Sequence, residues 1–123
     1  CASARPVPIL AMHGTADPVA PYAGGRVACC GNPTIAGTPD TMANWAAHNG
    51  CRPDPVDEPV AGSVTRRRWQ GCRSGSAVEH YVVGGGGHTW PGSRFGGVLP
   101  GTNTDIDASA VIWDFVRDER LPS

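Results

Sequence analysis

Two side chains with complementary acid-base chemistry stand at comparable places in this chain. Asp17 lies in the segment His13-Gly14-Thr15-Ala16-Asp17-Pro18-Val19-Ala20-Pro21-Tyr22, and His88 is the first chemically able side chain after the glycine run 84–87. An imidazole exchanges protons near neutral pH, and a carboxylate that accepts a hydrogen bond from one ring nitrogen holds its tautomer and stabilises imidazolium. The other nitrogen is then free to take a proton from a hydroxyl. Each residue also has a plainer use. Aspartate before proline is a common turn residue, and a glycine-rich loop can simply turn beside a surface histidine. Phosphate cradling is the poorest reading of the glycines, because neither GxGxxG nor GxxxxGK[ST] occurs and no clear helix start follows them.

Both residues follow strand-like runs. Pro6 to Met12, PVPILAM, is a continuous apolar run that reads as a parallel strand buried on both faces. So little chain precedes it that a neighbour on one side must come from elsewhere, which predicts an open edge and an uncovered apolar face. Ala77 to Val83 reads as the strand that feeds the glycines, and it forms a hairpin with Ser63 to Gln70. Arg66, Arg67 and Arg68 alternate faces of that second strand, so they form no single basic patch, and the strand reads as an edge guarded by charge. His80 falls mid-strand without an evident partner. Arg52 to Gly62 reads as a Pro-rich acidic loop.

Helical spacing appears twice. From Thr38, as cap, with Pro39 at the first position, Met42, Trp45, Ala46 and Asn49 recur until Gly50 stops the helix. Trp45 belongs to the core stripe and His48 to solvent. The second helix runs from Asp107 to Glu119, capped by Asp105 or Asp107. Its wide apolar face takes in Ile106, Ala110, Ile112, Trp113, Phe115 and Val116, with Trp113 and Phe115 in the core. The Gly- and Pro-rich loop Trp90 to Thr104 is long enough to wall a cleft.

A chain of 123 residues fits one domain with a modest core. Its 10 basic and 11 acidic residues create no field that would attract nucleic acid or anionic lipid, so neither is an expected partner. No apolar run reaches membrane-spanning length, and no signal segment opens the chain. The 5 cysteines lack zinc-site spacing, and a set drawn from Cys29, Cys30 and His13 or His48 fits a metal poorly, so no metal is expected. Disulfides fit better and place the protein outside the cytosol, secreted or periplasmic. Cys51 and Cys72 are the favoured pair, closing a loop worth roughly 3 kcal/mol in unfolded-state entropy. Adjacent Cys29 and Cys30 would bond each other only with strain, which leaves either to pair with Cys1.

Acid before base, each after a strand and with a helix between them, is the order of the last two members of a Ser-Asp-His triad in α/β-hydrolases. The segments HGTADPVAPYAGG, TMANWAAHNGC, VTRRRWQGC, VEHYVVGGGGHTWPG and VIWDFVRDE resemble the C-terminal part of polyhydroxybutyrate depolymerase-like esterases, a group that includes feruloyl and acetylxylan esterases. The resemblance runs from about Pro6 to Leu121. It implies an α/β fold, the C-terminal portion of an α/β-hydrolase, with a parallel strand, an edge hairpin and packing helices. By the same resemblance Asp17 is the triad acid, His88 the triad base, Cys51–Cys72 a disulfide, and Trp90 a residue at the mouth of the substrate site. No cofactor is implied, and the partner is an ester substrate. One part of the pattern is missing. None of Ser3, Ser63, Ser74, Ser76, Ser93, Ser109 and Ser123 sits in a GxSxG elbow, so residues 1–123 read as the second part of a catalytic domain, with the nucleophile on a missing N-terminal half or a second chain. The competing reading is a non-catalytic polymer-binding module gripping its ligand with Trp90, Tyr22 and Arg94.

Overall fold

The computed structural model describes residues 4–94 and 99–119. Its centre is a four-stranded sheet in the order β1-β6-β5-β4, built from β1 (Ile9–Gly14), β4 (Val56–Ala61), β5 (Val64–Trp69) and β6 (Val78–Val83). β1 and β6 run parallel, and the other pairings are antiparallel. A two-stranded ribbon, β2 (Gly24–Arg26) with β3 (Thr34–Ala36), stands apart, the α-helices among the described residues are α1 (Thr38–His48) and α2 (Ala108–Val116), and a short 3-10 turn covers Arg73–Gly75.

Alternation along the strands assigns each helix its own side of the sheet. Ile9, Ala11, Trp69 and Val78 point to one face and pack with Met42, Trp45 and Ala46 of α1. Leu10, Met12, Val64, Tyr81 and Val83 point to the other and pack with Ile106 and Val111 at α2. The result is three layers with the sheet in the middle. The Cys51–Cys72 disulfide forms beside the α1 cluster and closes a sequence separation of 21 residues. Cys29 and Cys30 are exposed thiols, while Cys1 lies outside the described residues.

Several expectations are corrected. β1 begins at Ile9 and continues through His13 and Gly14, and its strand residues before Gly14 are half-buried rather than buried on both faces. Among the described residues its only strand partner is β6, so its outer edge is open. The arginine strand is not an edge. β5 lies between β6 and β4, and the edge is β4, formed by the segment read as loop. Pro59 and the acidic residues disguise it, yet they suit an edge, where proline need not donate to a ladder and charge discourages further pairing. In register, Asp57 faces Arg67 and Glu58 faces Arg66, and both are ion pairs, with Arg67 bidentate at 2.8 Å.

Thr38 does not cap α1. Gly37 takes that place, and Thr38 turns its hydroxyl toward His13 instead. His48 is half-buried, its ring edge-on to Trp45. Asp107 caps α2, accepting from the backbone N–H groups of Ser109 and Ala110. Trp113 is not core: it is 63% exposed, because the inward stripe is Ala108, Val111 and Phe115 and the sheet is too narrow to cover the rest of the apolar face.

Candidate functional site

β1 and β6 end level with one another, Gly14 opposite Val83, so the loops that follow leave the same end of the sheet together. They are stitched at once. Thr15 N–H donates to the Val83 carbonyl at 2.9 Å, Ala16 N–H to Gly86 at 3.0 Å, and Gly85 N–H to the Thr15 hydroxyl at 2.9 Å. This closeness explains why glycine is needed. A Cβ on Gly14 would meet the Gly86 carbonyl oxygen at 2.2 Å, and Gly85 turns at φ 68°, where side chains are strained. The glycine run is therefore a contact surface between two backbones as well as a turn.

The stitching brings Asp17 and His88 together. His88 Nδ1 lies 2.8 Å from Asp17 Oδ2, while Asp17 Oδ1 accepts the backbone N–H groups of Val19 at 2.8 Å and Ala20 at 2.9 Å. Nδ1 must carry the proton that bridges to a carboxylate, which leaves Nε2 as the basic nitrogen. The carboxylate is 5% exposed and the imidazole 57% exposed. Burial by itself pushes the Asp17 carboxyl up, but the His88 hydrogen bond and the two loop amides outweigh it and hold it below the usual carboxylate range.

His88 opens onto a cleft of about 520 Å³ lined by Met12, Asp17, Ala20, Trp90 and Leu99 among others, with no serine among the described lining residues. Trp90 is 54% exposed, and its indole N–H donates to the Ser109 hydroxyl at the start of α2, at 3.2 Å. Tyr22 is not free to grip a ligand. It stacks on His80 at 5.7 Å and meets His13 edge-on at 5.6 Å. Arg94 is exposed.

The chain is 31% identical over 124 residues to "Feruloyl esterase B" of Piromyces equi, covering 99% of this chain. It is 30% identical over 128 residues to "Putative esterase NocK" of Nocardia uniformis subsp. tsuyamanensis, covering 90% of this chain. The similarity is to esterases. It spans only 20% of the first relative and 37% of the second. No family model matches, and no solved structure matches.

Two histidines carry more than their sequence positions suggest. His80 is fully buried with neither ring nitrogen hydrogen-bonded among the described residues, and burial, with the nearby charge of Arg67 adding to it, pushes its imidazole down to about 4. His13, weighed from sequence only as a metal ligand, lies beside Asp17, with Nε2 at 3.4 Å from Oδ2. Its signal was available in principle: in β1, His13 is two residues past Ala11 and so shares the α1 face with it.

Proposed function

We propose that this chain supplies the acid and the base of a Ser-His-Asp triad in a carboxylic ester hydrolase of the α/β-hydrolase type, acting on a polyester or a plant cell-wall ester. The observation that carries the reading is the Asp17–His88 hydrogen bond at 2.8 Å, at the carboxyl ends of two parallel strands and facing a cleft. His88 Nε2 takes the proton of a serine hydroxyl as the oxygen attacks the ester carbonyl, then returns it to the departing alcohol. Water enters by the same route and releases the acid. Asp17 stays ionised throughout, in keeping with its lowered carboxyl, and needs no metal to do so. The hydroxyl comes from outside the described residues of this chain, and Trp90 sits at the mouth of the substrate site. The Cys51–Cys72 disulfide supports secretion or a periplasmic location.

The test is hydrolysis of a chromogenic short-chain ester by the protein translated from its complete coding sequence. His88→Ala is expected to lower kcat on the order of 10⁴-fold or more, while residues 1–123 alone give no turnover that depends on His88. Equal rates with and without His88 in the protein translated from the complete coding sequence would remove the reading. A binding module that grips polymer through Trp90 and Arg94 is the alternative. It predicts tight binding to insoluble polymer, untouched by Asp17→Ala or His88→Ala.

A further inference from the structure

A triad acid works only if its carboxylate is held still, and the structure contains more restraint on Asp17 than His88 and the loop amides provide. His13 Nε2 lies 2.9 Å from the carbonyl oxygen of Ala20, the same residue whose N–H bonds Asp17 Oδ1. A carbonyl only accepts, so Nε2 carries the proton. In the neutral ring His13 Nδ1 is then the acceptor, and the Thr38 hydroxyl, 2.6 Å away, donates to it. The same Nε2–H lies 3.4 Å from Asp17 Oδ2, the oxygen that receives His88. A continuous hydrogen-bonded path thus runs from the first turn of α1 through Thr38, His13, Ala20 and Asp17 to His88. Tyr22 meets the His13 ring edge-on at 5.6 Å.

We infer that His13 is a positioning residue for the Asp17–His88 couple, a neutral imidazole with its proton on Nε2 that fixes the acid loop against helix α1. The role rests on the ester-hydrolase reading and extends it to a residue that does not touch the reacting atoms. Only a neutral imidazole offers a donor and an acceptor on one rigid ring at this spacing. Glutamine can reproduce the Nε2 donor, asparagine only the Nδ1 acceptor, and leucine neither.

The imidazole ¹⁵N and ¹H signals of the chain, read at neutral pH by long-range NMR correlation, test this directly. In the wild type, His88 is expected as the Nδ1–H tautomer with a downfield, slowly exchanging proton, and His13 as the Nε2–H tautomer. In His13→Leu the His88 proton should move upfield and exchange quickly, and in His13→Gln it should persist. Loss of a merely structural contact would not be rescued by a donor at that one atom. An unchanged His88 signal in a folded His13→Leu chain overturns the proposal. Should that variant not fold, the wild-type His13 spectrum still decides, because an Nδ1–H tautomer there overturns it too. Asp17→Asn separates the two ideas: if His88 keeps its signal in that variant, the Asp17–His88 couple itself fails, whereas loss in Asp17→Asn without loss in His13→Leu removes His13 alone.

Discussion

His80 makes a prediction that depends on none of the functional reasoning. Its side chain sits mid-strand at 0% exposure beneath Tyr22, between Ala11 and Arg67 in the register of the sheet, and neither ring nitrogen has a hydrogen-bond partner among the described residues. Water would bond both nitrogens in the unfolded chain, so the folded state holds the ring dry and neutral. Its imidazole titrates at about 4 when folded, against an ordinary value of 6.5. In that interval the unfolded chain binds the extra proton, so stability is full above pH 6.5, declines as pH falls, and is constant again below about 4. The interval corresponds to roughly 3 kcal/mol in total, of which about 2 kcal/mol falls between pH 7 and pH 5.

His80→Leu keeps the volume and removes both orphaned nitrogens. At pH 7 the relief of about 1–3 kcal/mol for a buried unsatisfied group is set against the Tyr22 stacking, worth about 0.5–1.5 kcal/mol, so the variant should match or exceed the wild type. At pH 5 it should be ahead by a further 2 kcal/mol or so. Urea unfolding followed by tryptophan fluorescence, to which Trp69 contributes from the core, measures both curves. Because Asp17 and Glu58 are lowered carboxyls present in both proteins, and neither owes its shift to His80, their acid losses cancel in the difference. Parallel curves from pH 7 to pH 5 would refute the burial argument, and with it the assignment of His80 as neutral and unpartnered.

Two further substitutions probe the scaffold. Gly14→Ala drives a methyl group toward the Gly86 carbonyl at 2.2 Å, with backbone on both sides and no side chain to yield. It should cost at least about 1–3 kcal/mol in denaturant unfolding and abolish the downfield His88 proton; wild-type stability with that proton retained would contradict the close approach. Replacing Cys51 and Cys72 by serine opens a loop of sequence separation 21 and should lower stability by about 3 kcal/mol. The His88 signal should survive in that variant under native conditions, since the bridge packs in the α1 cluster and not among the loops of the cleft. A loss in unfolding free energy below about 0.5 kcal/mol would count against the loop-entropy argument.

What could be read in the sequence was local, and what could not was a matter of pairing. β1 runs two residues past its apolar run, because His13 and Gly14 pair with Val82 and Val83. A strand opening into glycines before His88, by contrast, is a pattern written in consecutive residues, so the end of β6 was legible. β4 was not, because Asp57, Glu58 and Pro59 look like loop until Arg66 and Arg67 stand opposite them, and that complementarity exists only in antiparallel register. Trp113 misled for a related reason: periodicity reveals an apolar stripe without saying how much of it a narrow sheet can cover. The same logic explains where the unexpected polar groups lie. On the α1 face the row Ile9, Val78 and Trp69 is apolar, while the next row places Ala11 beside His80, Arg67 and Asp57, and His13 lies one row further on. The face changes character toward the end where the acid loop leaves the sheet. An apolar continuation would have offered Asp17 and its loop no donor from the sheet, whereas His13 provides one. The unsatisfied His80 beneath Tyr22 is where the loss of stability from that polar row should be measurable.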